Sequence, residues 1–154
     1  YPCYFKPMSQ GTRCHQLALY MILDSPLNML CDSPTHYNKE IECTEFIASI
    51  PTVWNETRII DGEVGEWIIT ARRNNSIWYV GGITNWTSRD VKLDLSFLPQ
   101  GKYKIEIFKD GINADRNATD YKKDFVVTED ITKIHKLHLA PGGGFAMKIE
   151  GYLP

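Results

Sequence analysis

The sequence predicts a mainly β protein: an antiparallel β-sandwich or Greek-key domain preceded by a helical segment. Three observations predict it. After Pro51 the apolar residues recur with a period of two, as they do on half-buried strands. Turn chemistry punctuates that region at short intervals, the spacing of a sandwich or barrel module of about a hundred residues. Before Pro51 the signals are helical, so the chain divides into residues 1–51 and residues 52–154.

The elements follow in order. Thr12 is placed to cap a helix from Arg13 to Leu23, and Ser25-Pro26 closes it because the residue before a proline is pushed out of the α region. Leu27 to Cys31 reads as a short second piece. Asp32-Ser33-Pro34 restarts the chain, with proline suited to a first helical turn. A last helix covers about Lys39 to Ile50, with Ile41, Phe46 and Ile50 near one side, and Pro51 ends it. The first helix is apolar nearly all round and must be buried on several sides. Two or three short helices cannot supply that burial. The partner is either the β region that follows or a body of protein outside this chain, and the second is the favoured expectation.

Eight strands are expected: Thr57–Val64, Glu66–Arg73, Ser76–Thr84, Asp90–Leu95, Lys102–Lys109, Lys122–Thr128, Lys133–Leu139 and Phe145–Gly151. Asp61-Gly62, Asn74-Asn75, Pro99-Gln100-Gly101, Asp110-Gly111 and Pro141-Gly142-Gly143-Gly144 supply the turns. Tyr103, Ile105 and Ile107 share one face, and Val91, Leu93 and Leu95 alternate with Lys92 and Asp94.

Composition narrows the function classes. The 154 residues are 43% hydrophobic and 23% charged, a globular balance, and the formal net charge is −2. Neither nucleic acid nor an anionic membrane is an expected partner, since both call for a basic surface. The longest apolar run, Leu17 to Leu23, is far too short to span a bilayer. The chain opens on Tyr1-Pro2-Cys3-Tyr4-Phe5, without an initiator Met or a signal peptide, which is expected of a piece of a longer protein. Cys3, Cys14, Cys31 and Cys43 form no CxxC pair. A metal site joining them to His15 or His36 is outweighed by the reading as buried small hydrophobes, and a disulfide cannot be assigned from spacing.

Several clusters invite a chemical reading. Asp61, Glu63 and Glu66 suggest nothing more specific than the paired carboxylates of glycosidases, and Gly62 and Gly65 beside them favour a solvated turn or bulge rim. Asp110, Asn113, Asp115, Asn117 and Asp120 are rich in oxygen ligands, yet the glycine follows the first Asp at once and the twelfth position is Tyr121, unlike a calcium loop; Asx turns account for them. Pro141-Gly142-Gly143-Gly144 leads into a strand, whereas a phosphate loop leads into a helix. Trp54, Trp67 and Trp78 read as core. Trp86, between Asn85 and Thr87 at a strand end, is the best candidate for stacking on a sugar ring. His15, His36, His135 and His138 lack evident partners in the sequence, and no Ser-His-Asp order, nucleophile elbow or HExxH is present. No catalytic and no metal residue is assigned.

Taken together, Met8–Ala18, Leu30-Cys31-Asp32-Ser33-Pro34, Pro51–Arg58, Gly62-Glu63-Val64-Gly65-Glu66, Ala71-Arg72-Arg73, Trp78–Thr84, Lys109-Asp110-Gly111 with Asn113–Arg116, and Leu139–Ala146 resemble the end of glycoside hydrolase family 97, in the right order along essentially the whole chain. The family comprises α-glucosidases and α-galactosidases of Bacteroidetes, with a β-supersandwich, a (β/α)8 catalytic barrel and a C-terminal antiparallel β domain. The resemblance implies that residues 1–51 are the last helices of that barrel and residues 52–154 the C-terminal β domain. It implies catalytic carboxylates and calcium ligands upstream of this chain, an upstream barrel and an oligosaccharide as partners, and a periplasmic or secreted location in a bacterium. Gln10, Thr12 and Arg13 would border the substrate near the last βα loop, against a commoner capping and structural role.

Three readings therefore compete. One is a catalytically silent fragment of a glycosidase that stabilises its barrel. A second is a carbohydrate-binding module using surface tryptophans such as Trp86. The third is a self-contained β-sandwich interaction protein whose helices cap its own core.

Overall fold

The computed structural model describes residues 11–22, 41–51, 53–99, 101–114, 116, 120–128 and 135–151. Among these residues two helices, α1 (Arg13–Ile22) and α2 (Ile41–Ser49), precede eight strands: β1 (Glu56–Glu63), β2 (Trp67–Asn74), β3 (Ile77–Thr84), β4 (Arg89–Leu93), β5 (Tyr103–Asp110), β6 (Tyr121–Thr128), β7 (His135–Leu139) and β8 (Gly144–Gly151). Each expected strand is present within a residue or two of its expected ends. The short piece at Leu27–Cys31 and the Asp32-Ser33-Pro34 restart lie outside the described residues.

The strands make two antiparallel sheets, one of six strands in the order β1-β2-β3-β8-β5-β6 and a ribbon of β4 and β7. The last strand lies between β3 and β5, so the large sheet closes only when the chain returns to its middle. Period two then sorts the side chains. Val91, Leu93, Leu137 and Leu139 of the ribbon pack against Ile69, Ala71, Val80, Ile105, Ile107, Phe145, Met147 and Ile149 of the large sheet. That is the aliphatic sandwich core the alternation predicts.

The other face of the large sheet is covered by the helices. Cys14, Leu17 and Met21 of α1 and Cys43 and Phe46 of α2 pack with Tyr79, Phe108 and Ala146. Gly81 and Gly144 let α1 lie close to the sheet: a Cβ on Gly81 would stand 3.1 Å from the Ala18 carbonyl, and one on Gly144 2.9 Å from His15 Cα. Arg72, buried on β2, donates from Nη2 to the Ile22 carbonyl at 2.9 Å and so closes the C-terminal end of α1. The partner of the apolar helix is thus the sheet that follows it, for Cys14, Leu17, Ala18 and Met21 at least. The secondary structure changes at Pro51, but the packing runs across it.

Candidate functional site

Most of the singled-out residues meet at the end of the molecule where α1 begins and the β7–β8 turn ends. Thr12 is buried and precedes the helix, where its hydroxyl accepts the His15 amide at 3.2 Å and its carbonyl accepts the Gln16 amide at 3.2 Å. This is the capping role that the sequence predicts. The Thr12 amide donates to the Gly142 carbonyl at 2.9 Å, which fastens the helix to the turn. His15 adds a second tie, Nδ1 to the Gly143 carbonyl at 3.1 Å. A carbonyl only accepts, so Nδ1 carries the proton.

Asp110, the last residue of β5, sits behind this turn and is 9% exposed. Its Oδ2 accepts the Ala140 amide at 3.0 Å and the Gly144 amide at 3.1 Å. Burial raises its pKa, opposed by the Thr12 hydroxyl, by those two amides and by the charge of His138. Oδ1 is buried without a hydrogen-bond partner among the described residues. Gly143 passes so near the carboxylate that a Cβ there would meet Asp110 Oδ2 and the Ala140 carbonyl.

The β3–β4 loop completes the junction. The Asn85 carbonyl accepts the Gly142 amide at 2.7 Å, and the Gly143 carbonyl accepts the Thr84 amide at 3.1 Å. Trp86 lies against the turn: a Cβ on Gly142, whose φ is 63°, would stand 2.7 Å from the indole Cζ3. The rest of Trp86 is open, with 66% of its surface exposed. Arg13 lies beside Thr12 with its guanidinium carbon 5.8 Å from the Tyr121 ring centroid. Thr12, Arg13 and Trp86 therefore share one end of the fold, and Gln10 lies outside the described residues. The local signals at Asp110, an Asp-Gly turn and the oxygen-rich stretch after it, do not announce this role.

The remaining clusters take structural roles. Asp120 accepts the Asn113 amide at 2.9 Å, a bond across the loop between residues seven apart rather than the expected Asx turn, while Asp110 faces inward. Asp61 accepts the Gly62 amide at 2.9 Å, and Glu66 meets Arg89 at 3.5 Å. Asp61, Glu63 and Glu66 are exposed around the β1–β2 turn. Glu63 and Glu66 rim a shallow depression of about 520 Å³ with Ile59, Val64, Trp67 and Ile83. His138 corrects the expectation of an isolated histidine, because its cross-strand neighbour Asp90 meets Nδ1 at 2.8 Å. Trp54 stands edge-on to Tyr79 at 5.3 Å and Trp78 to Phe97 at 4.9 Å. The Cys14 thiol, buried, is pushed far up from its ordinary value by desolvation and then by the charge of Asp110, so it is no nucleophile. Among the described residues no three His, Cys, Asp or Glu side chains converge on a metal position. Asp115 and Asn117 of the oxygen-rich stretch lie outside the described residues.

A family profile described as "Glycosyl-hydrolase 97 C-terminal, oligomerisation" matches residues 53–150. A retaining alpha-galactosidase of Bacteroides thetaiotaomicron is 58% identical over 151 residues, covering 97% of this chain and 22% of that protein. A probable retaining alpha-galactosidase of Streptomyces bingchenggensis is 25% identical over 96 residues, 62% of this chain and 15% of that protein. Among solved structures, a glycoside hydrolase family 97 enzyme of a Pseudoalteromonas species in complex with acarbose superposes with a TM-score of 0.88 at 32% identity, covering 96% of this chain and 24% of that one. The chain thus spans about a quarter or less of the length of these relatives.

Proposed function

Because the chain belongs to glycoside hydrolase family 97, as its C-terminal domain, we propose that it is the non-catalytic end of a retaining hydrolase of α-linked galactosides or glucosides. The observation that carries this reading is the 58% identity to a retaining alpha-galactosidase along 97% of the chain. The chemistry of the junction agrees with it. Asp110, its buried carboxylate, is spent on backbone amides, and the exposed carboxylates cluster on the β1–β2 turn rim, where the Glu66 carbonyl accepts the Asn85 amide of the β3–β4 loop. The domain would stabilise the barrel, with residues 1–51 as the end of that barrel, calcium and the catalytic carboxylates upstream, and a periplasmic or secreted location.

Turnover tests it. The longer polypeptide that carries this sequence should hydrolyse an aryl α-galactoside, and the chain alone should not. Hydrolysis by the chain alone would end the non-catalytic reading. The exposed indole of Trp86 supports a second reading, glycan binding. Titration with oligosaccharides followed by tryptophan fluorescence decides it, since binding abolished by Trp86→Ala favours a binding module.

A further inference from the structure

Of the four tryptophans Trp86 alone is exposed, and it stands on a loop tied down by hydrogen bonds. The Asn85 amide donates to the Glu66 carbonyl at 2.8 Å while the Asn85 carbonyl takes the Gly142 amide. Two residues on, the Thr87 amide donates to Asn85 Oδ1 at 3.1 Å and the Thr84 hydroxyl to the Thr87 carbonyl at 3.2 Å. The chain therefore turns tightly around Trp86. Gly142 meets the indole along its Cε3–Cζ3 edge, which leaves the N–H on the other side of the ring. A rigid aromatic face open to solvent loses little freedom when a ligand stacks on it.

A polar row starts at the neighbouring residue. Arg89 donates from Nε to the Thr84 hydroxyl at 2.8 Å, reaches Asn85 Oδ1 with Nη2 at 3.4 Å, and meets Glu66 Oε2 with Nη1 at 3.5 Å. The last two contacts are long, so the guanidinium keeps bonding capacity at its tip. Glu66, Thr84 and Asn85 also line the depression of about 520 Å³ at the β1–β2 turn, which leaves the row open to a ligand from that side. Amide, guanidinium and carboxylate groups match neighbouring hydroxyls, and the C–H face of a pyranose matches an indole. Arg89 and Glu66 balance each other's charge, so the row offers donors and acceptors without a net field. We propose that Trp86, Asn85, Arg89 and Glu66 form a site for a neutral oligosaccharide, one pyranose stacked on the indole and its hydroxyls bonded along the row. This rests on the glycan-binding reading of Trp86 and adds to it the polar half of the site and the selection against charged sugars. A uronate would have to displace Glu66 from Arg89.

Protein-detected NMR titration of the chain tests this, with a neutral α-galactosyl trisaccharide and with a trisaccharide bearing a uronate. The neutral sugar should shift the Trp86 indole N–H and the amides of residues 85–89 in a saturable way, with a millimolar Kd, while the other indoles stay in place. Trp86→Ala should raise that Kd about tenfold or more, and Trp86→Phe, which keeps a ring, should recover most of the loss. Unchanged spectra elsewhere keep loss of binding apart from loss of fold. The uronate sugar should bind about tenfold more weakly than the neutral one. Glu66→Gln takes away the charge that balances Arg89 and should narrow that gap several-fold. No saturable shift, or a Trp86→Ala chain that binds as wild type does, ends the glycan reading and this site with it. Equal affinity for the two sugars, or a gap that Glu66→Gln leaves unchanged, keeps the glycan reading and overturns the neutral site. In the longer polypeptide, a Trp86 shielded from acrylamide quenching, read against Trp86→Phe, would give the ring to a protein contact and overturn the site as well. Turnover of the longer polypeptide judges the hydrolase reading alone.

Discussion

The two faces of the six-stranded sheet bury comparable phenylalanines in different company. Toward the ribbon, Phe145 lies among Ile69, Val80, Leu93, Leu139 and Met147, an aliphatic layer. Toward the helices, Phe108 lies 4.7 Å from the ring of Phe46, among buried cysteines, and the same face carries buried Thr70 and Arg72 and the glycine notch at Gly81. The first face needs only hydrophobic side chains of the right volume. The second needs a helix in one position, because a carbonyl of that helix must meet Arg72 and its backbone must fit over two glycines. The ribbon face makes the sandwich. The helix face makes the helix part of the same structure.

Truncating each phenylalanine gives the largest expected effect. Phe108→Ala and Phe145→Ala should each lower stability by about 3–5 kcal/mol, read from denaturant midpoints, since both rings are fully buried. Their rescue should differ. A Cβ on Gly82 would collide with the Phe145 ring, so Gly82→Ala harms the wild type but occupies part of the space that Phe145→Ala leaves. The double variant should be more stable than the sum of the two single losses requires, while Gly82→Ala should bring no relief to Phe108→Ala. Equal behaviour on both faces would remove the distinction between them.

Asp110 is where the helix face meets the β7–β8 turn, and its loss comes next. Asp110→Ala leaves the Ala140 and Gly144 amides without their acceptor, at a cost of about 2–4 kcal/mol. Asp110→Asn keeps an acceptor and sets its amide where Oδ1 has no partner, so it should cost less. The pH response separates the two forms. The folded pKa is raised above the unfolded one by burial, so the native chain holds this proton more firmly. The stabilisation from protonating Asp110 is complete below the unfolded carboxylate pKa and is lost as pH rises through the folded value. Asp110→Asn should flatten that part of the stability–pH profile. An unaltered profile would mean that another group sets it.

Much of this is legible in the sequence, and the reason is periodicity. Strands such as β5 and β4 announce themselves because Ile105 and Ile107, or Val91 and Leu93, must share a face to be buried together. The capping threonine is legible because a helix start needs a side-chain acceptor. The partner of α1 is not, since the apolar pattern of a helix says that it is covered and not by what. Asp110 and His138 escape sequence reasoning for a related reason. Their partners lie 30 and 48 residues away in sequence, brought near only by the β7–β8 turn and the β4–β7 pairing. Glycines mark the junction as a turn, but only the folded chain shows that Gly143 must be bare to leave room for a carboxylate.

Thr12 gives the smallest of these effects and the sharpest separation of roles. Its hydroxyl caps α1 through the His15 amide and lowers the pKa of Asp110, while its own amide is held by Gly142. Thr12→Ser keeps both hydroxyl contacts and should be nearly neutral. Thr12→Ala removes the cap and should cost about 1 kcal/mol, read as a lower midpoint with an unchanged spectrum. If Thr12 instead borders the substrate in the longer polypeptide, Thr12→Ala should lower turnover well below the temperature at which the variant unfolds. The burial of Thr12, 2% exposed beneath the turn, points the other way: turnover should hold until the fold itself fails, because a buried hydroxyl whose one proton is already given to a carboxylate has no donor left for a sugar and no surface to meet it.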